Sequence, residues 1–200
     1  MIRPEPMKYD PEKHHRRSVR LRGYDYSQAG AYFVTICTQG RACLFGDVAD
    51  GEMRLNEIGN IVADSWRWLA LQYDYVELDE WMIMPNHLHG IVVIIDDDDG
   101  GGRGGSRTAP TGDPRNATPK RKPIGGLIGA FKTVSTKHIN IMRGTPGMPV
   151  WQRNYYEHII RNEESMNRIR EYIVNNPLQW QLDRENPCIG GRGNPALYRG

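Results

Sequence analysis

The chain has 200 residues, 26 Lys and Arg against 24 Asp and Glu for a net charge of +2, and three cysteines. That length suits one domain with a real core plus tails, and the near-neutral balance does not by itself announce a nucleic-acid binder. No apolar run is long enough to span a bilayer, residues 1–22 lack the apolar segment of a secretory signal, and Cys37, Cys43 and Cys188 form no Cys-x-x-Cys pair, so a cytoplasmic protein with reduced thiols and no membrane partner is expected.

The distribution of charge says more than its sum. Residues 14–22 form a basic arm containing Arg16, Arg17, Arg20 and Arg22. A second basic stretch, with Arg103, Arg107, Arg115, Lys120, Arg121 and Lys122, follows the acidic block 96–99. Local stripes of this kind can bind phosphate backbones, and they can equally be solvated charge. Residues 96–122 are acidic, then Gly-rich, then Pro/Thr/Arg-rich, which predicts a flexible insertion. Three parts follow: the arm at 1–23, a domain at 24–180 interrupted at 96–122, and a tail at 181–200.

In chain order, residues 31–38 read as a first strand and 55–71 as a helix with Ile58, Ile61, Val62, Ser65 and Leu69 on one face. Residues 75–83 read as a second strand, Met84-Pro85-Asn86 as a turn and 87–95 as a third strand. Beyond the insertion, 124–142 reads as a helix with Leu127, Phe131, Val134 and His138 near one face, and 150–160 as a fourth strand. Asn162 caps a last helix, Glu163 and Glu164 suit its first turn, and Pro177 stops it. The order β-α-β-β-α-β-α is the split βαβ of an α+β, ferredoxin-like fold: an antiparallel sheet with helices on one face and an added C-terminal helix. Such a fold hosts many functions.

The chemistry concentrates at His87-Leu88-His89. Alternation along a strand puts both imidazoles on one face and Leu88 on the other, which makes half of a divalent-metal site. On the last helix, Met166, Ile169 and Ile173 form an apolar stripe, and Tyr172 and Asn176, four residues apart, sit together at its edge. A helix laid across the sheet brings both toward the histidines. Tyr155, Tyr156 and His158 lie in the fourth strand as rivals for the same chemistry, and Glu57 and Glu171 are further carboxylates. His138 reads as structural. Of Trp66, Trp68, Trp81, Trp151 and Trp180, most should be core and one or two suit base stacking. Lys132, Lys137, Arg153 and Arg161 are candidates for phosphate contacts.

His87-Leu88-His89 at the start of a central strand, with Tyr172-x-x-x-Asn176 on a late helix, resembles the single-tyrosine HUH transposases, and within them the REP-associated tyrosine transposases. Arg22-Gly23-Tyr24-Asp25-Tyr26, Met84-Pro85-Asn86-His87, Gly129-Ala130-Phe131-Lys132 and the run 151–163 carry the closer likeness. The resemblance implies a transesterase for single-stranded DNA beside a hairpin or palindromic repeat. Tyr172 would be the nucleophile, forming a 5′-phosphotyrosine, and His87, His89 and Asn176 would bind Mg²⁺ or Mn²⁺. Two imidazoles favour Mn²⁺ over Mg²⁺. Asn176 precedes Pro177, which biases it away from helical geometry. The basic arm would clamp the hairpin stem or read bases near its foot. Monomer and homodimer both stay open. So do three other functions: an RNA-binding ferredoxin-like module, a metal-dependent hydrolase, and a domesticated relative that binds its hairpin without moving it.

Overall fold

The computed structural model describes residues 23–96, 121–182 and 186. The arm carrying Arg16, Arg17, Arg20 and Arg22, residues 97–120 of the insertion, and nearly all of the tail lie outside the described residues. The elements in chain order are β1 (Gly30–Cys37), a hairpin of β2 (Gly46–Ala49) and β3 (Glu52–Leu55), α1 (Glu57–Gln72), β4 (Val76–Met84), β5 (His87–Ile94), α2 (Ile124–Arg143), β6 (Tyr156–Ile160) and α3 (Glu163–Val174). Among the described residues no helix is long and apolar enough to cross a membrane.

The main sheet has the order β4-β5-β1-β6, and every neighbouring pair is antiparallel. β5 therefore lies between β1 and β4, the two strands joined through α1, which is the split βαβ arrangement expected from the element order. Local chemistry sets the helix ends. The Asn56 side chain accepts from the Gly59 amide at 2.9 Å to start α1, and the Asn162 side chain accepts from the Ser165 amide at 2.8 Å to start α3. α2 ends at Gly144, whose φ of 64° is the left-handed cap that glycine adopts without strain.

Strand alternation divides the apolar side chains between two faces. Tyr32, Val34, Ile36, Leu88 and Val92 pack with Trp66 of α1 and Leu127 and Phe131 of α2. Ala31, Phe33, Ile91 and Ile160 pack on the other face with Ile173 of α3, beside half-buried Met166, Ile169 and Tyr172. His87 and His89 share the parity of Ile91 and so face α3, while Leu88 faces α1 and α2. Gly90, directly after the pair, is where Trp66 meets the strand from behind. A Cβ there would lie 2.7 Å from Trp66 Cζ2 and 3.2 Å from the Trp81 Cβ.

Two features depart from the sequence reading. The β2–β3 hairpin was not expected. It turns at Asp50-Gly51, both at positive φ (56° and 76°), as a two-residue hairpin turn of mirror-image type requires. The strand expected over 150–160 starts only at Tyr156, preceded by an isolated bridge between Trp151 and Thr38. The reason lies in α2: Lys132 Nζ donates to the carbonyls of Gln152 (2.9 Å), Asn154 (3.2 Å) and Arg153 (3.4 Å), which draws them out of a ladder.

Candidate active site

The turn at Pro85-Asn86 delivers β5 into the sheet with His87 opposite Cys37 and Met84, and His89 opposite Thr35 and Met82. Both histidines are buried. Their rings stand 4.4 Å apart between centroids, with Nε2 of each 2.9 Å from Nε2 of the other. The outer nitrogens are also held: His87 Nδ1 lies 2.9 Å from Asn86 Oδ1, and His89 Nδ1 lies 2.8 Å from Thr35 Oγ1. Phe33 stacks on His89 at 5.6 Å, and the Trp180 ring lies 6.0 Å from that of His87. Burial pushes the pKa of His87 down to about 3, and the positive charge of Arg41 adds to the shift. His87 is therefore neutral near pH 7, the state in which an imidazole offers a lone pair.

α3 brings up the other half. The Tyr172 hydroxyl is 3.2 Å from His89 Nε2, and its ring meets Phe33 edge-on at 6.1 Å. Asn176 lies one turn further on. It lies beyond α3, which ends at Val174 ahead of Pro177 as expected, in a turn where the Asn176 amide donates to the Ile173 carbonyl at 3.2 Å. The residue is only 2% exposed, and its Oδ1 has no hydrogen-bond donor. A buried acceptor left without a partner costs about 1–3 kcal/mol, so it marks a place for one.

Two imidazole nitrogens suit a divalent cation, and a buried amide oxygen such as Asn176 Oδ1 is of a kind that would join them. Two nitrogens at about 2.1 Å from one ion and at right angles are about 3.0 Å apart, close to the spacing the pair already has. Among the described residues no three His, Cys, Asp or Glu side chains cluster to hold a metal. Glu57, Glu171, His138 and His158 are all exposed.

α3 is fixed to the sheet edge by a fork. Arg170 Nε donates to Asp79 Oδ1 at 2.8 Å and Nη2 to Asp79 Oδ2 at 2.6 Å. Asp79 sits in the β4 irregularity between Leu78 and Trp81, and the hydrogen bonds from Arg170 hold its carboxyl below the usual range.

The other expected residues divide. Lys137 and Arg153 line an open cleft of about 500 Å³ between α2 and residues 147–153, on the α2 side of the sheet. Arg161 is exposed at the junction of β6 and α3. Lys132 lines the same cleft, with its ammonium donating to the three carbonyls of the 152–154 segment. The rival tyrosines separate too. Tyr155 lies outside β6 and donates to Glu157 Oε2 at 2.5 Å, whereas Tyr156 lies on the α3 face, 6.2 Å from the Phe33 ring. Thr35, Asn86, Phe33 and Arg41 were not anticipated at the site. Only Asn86, adjacent to His87, carried a signal in the sequence.

No protein-family model matches the chain. An uncharacterized protein of Haemophilus influenzae is 42% identical over 177 residues, 88% of this chain and 96% of that one. Among solved structures, a REP-associated tyrosine transposase bound to a REP hairpin superposes with a TM-score of 0.53 at 18% identity. The match covers 81% of this chain and 74% of that one, and shows a shared fold. A Deinococcus radiodurans chain, provisionally described as a transposase, matches more loosely, with a TM-score of 0.42 at 19% identity over 78% of this chain and 95% of that one.

Proposed function

We propose, for a chain that belongs to one family with the Haemophilus influenzae protein and has the fold of the hairpin-bound tyrosine transposase, that it cleaves and rejoins single-stranded DNA beside hairpin-forming repeats. The observation that carries this reading is the approach of the Tyr172 hydroxyl to within 3.2 Å of His89 Nε2, itself paired with His87 Nε2. A hydroxyl beside two converging nitrogens suits an attack on a phosphodiester held at the same place. His87, His89 and Asn176 would hold Mg²⁺ or Mn²⁺. The ion would polarise the scissile phosphate and neutralise charge on its oxygens.

Tyr172 Oη would form a bond to phosphorus as the bond to the 3′ oxygen breaks. The phenolic proton ends on the departing 3′-hydroxyl, and the 5′ phosphate stays on the tyrosine. One phosphodiester replaces another, so the reverse reaction rejoins strands without an external energy source. A tyrosine with its ordinary pKa of about 10 is a weak nucleophile, and orientation must compensate. Orientation is what the Phe33 contact and the Arg170–Asp79 fork supply to α3. Lys137, Arg153 and Arg161, with the arm residues Arg16, Arg17, Arg20 and Arg22, would contact the DNA backbone. Residues 24–180 would form the catalytic domain.

The test is labelled hairpin DNA with a single-stranded flank, incubated with Mn²⁺ and followed on denaturing gels for a protein–DNA adduct. An adduct formed by the wild type and lost in Tyr172→Phe supports the reading. An adduct that persists moves the nucleophile, with Tyr156 next in line. Cleavage without any adduct indicates a hydrolase, and tight hairpin binding without cleavage a domesticated binder.

A further inference from the structure

The two histidines are backed by groups of different chemistry. Asn86 is fully buried, its Nδ2 donates to the Arg41 carbonyl at 3.1 Å, and its Oδ1 faces His87 Nδ1 at 2.9 Å. A carbonyl oxygen only accepts, so the amide has one orientation, nitrogen toward Arg41 and oxygen toward His87. That amide oxygen also only accepts. His87 Nδ1 therefore carries the hydrogen, and its Nε2 presents a lone pair to the site.

His89 faces a hydroxyl instead. Thr35 Oγ1, 2.8 Å from His89 Nδ1, can donate or accept. With the His87 Nε2 bare, the 2.9 Å contact between the two Nε2 atoms requires the hydrogen to sit on His89 Nε2, and the Tyr172 hydroxyl, 3.2 Å from that nitrogen, can then only accept from it. His89 Nδ1 is then bare and accepts from the Thr35 hydroxyl. A cation shared by both Nε2 atoms requires the reverse: hydrogen on His89 Nδ1, donating to Thr35 Oγ1. Turning the hydroxyl hydrogen is all that Thr35 needs to serve either form, and neither form leaves the His89 ring with an unmatched nitrogen.

We infer that Asn86 and Thr35 are positioning residues with opposite tasks: Asn86 locks His87 in the ligating tautomer, and Thr35 lets His89 exchange tautomers when a divalent cation arrives. The exchange removes one proton from Nε2 and adds one at Nδ1, so the ring stays neutral. The inference rests on the proposal that this pair binds metal. It makes His87 a fixed ligand and His89 an adjustable one, and it gives two residues 51 positions apart (Thr35 and Asn86) a common purpose at one site.

Side-chain nitrogen NMR of the full chain reads the tautomers directly, with Zn²⁺ as a diamagnetic probe. Without metal, His87 should show its hydrogen on Nδ1 and His89 on Nε2; with Zn²⁺ the His89 hydrogen should move to Nδ1. In calorimetric titrations with Mn²⁺, Thr35→Val and Asn86→Ala should each bind about 10–100-fold more weakly. Thr35→Ser and Asn86→Asp, which keep the hydroxyl and the acceptor, should bind within a few-fold of wild type. A His89 hydrogen already on Nδ1 without metal overturns the exchange, and needs no variant to be seen. Wild-type affinity in Thr35→Val overturns the role of Thr35 and leaves the metal reading standing. A wild type that binds neither ion overturns both.

Discussion

Replacing Asn176 with leucine should separate the stability of the fold from its chemistry. The Asn176 side chain is buried at 2% exposure, and its Oδ1 lacks a donor, a penalty of about 1–3 kcal/mol. Leucine has the same number of side-chain heavy atoms in the same branched shape, so it removes the penalty without opening a cavity. Without metal, Asn176→Leu should be at least as stable as wild type and up to about 2 kcal/mol more so. At about 2–4 °C per kcal/mol for a chain of this size, that is a rise in Tm of up to about 8 °C. Mn²⁺ should reverse the ranking of responses. At a concentration near 100 times Kd, the wild type gains about 2.7 kcal/mol, or roughly 5–10 °C. If losing the amide oxygen weakens binding about 100-fold, the gain in the variant falls to about 0.4 kcal/mol. Thermal melts of both proteins with and without Mn²⁺ measure all four states. An Asn176→Leu protein that melts well below wild type without metal, yet shifts equally with Mn²⁺, would refute the reasoning: Asn176 would then be a packing residue.

Gly90→Ala should destabilise the domain by about 1–3 kcal/mol, because its Cβ would press on the Trp66 ring and the Trp81 Cβ; urea midpoints measure this, and an unchanged midpoint would show that Trp66 moves freely. The Asp79 carboxyl is held below its unfolded pKa by Arg170, so its contribution is complete above about pH 4 and lost as pH falls through the folded value. Amides of α3 should thus exchange faster in Asp79→Asn than in wild type at pH 6, and the two should converge as pH falls through the folded value; a gap that ignores pH would exclude the ion pair as its cause. Replacing Lys137 and Arg153 together with glutamine should weaken hairpin binding and flatten the slope of log affinity against log salt by up to about 1.8, and an unaltered slope would place the DNA elsewhere.

The parts of the site that could be read in the sequence are those within one element. His87 and His89 share a face because a strand has period two, and helical spacing linked Tyr172 to Asn176, although α3 ends at Val174 and Asn176 lies in the turn that follows. Their union depended on the fold, which the order of strands and helices indicated. Thr35 was invisible as a partner of His89: they are 54 residues apart, and only the β1–β5 register pairs them. The late start of β6 was hidden for a similar reason, since the lysine that draws the 152–154 carbonyls away sits on α2. The β2–β3 hairpin is short, and neither of its strands has a fully buried residue. Its one signal, Asp50-Gly51, is a favoured pair for a two-residue turn, but it lies between strands of only four residues.

β5 is hydrogen-bonded along both edges, to β4 and to β1, and its rear face rests on a cluster of twenty buried side chains. α3 rests on a cluster with only five and is tied to β4 by a half-exposed ion pair. Local opening takes the least-buried units first, so α3 should open before β5, and its amides should exchange first. The candidate site thus spans a seam between a strand held along both edges and a helix held on a smaller cluster. Under the proposed reaction, a group bonded to Tyr172 would travel with the helix, and the histidines would stay on the strand to meet whatever DNA strand comes next.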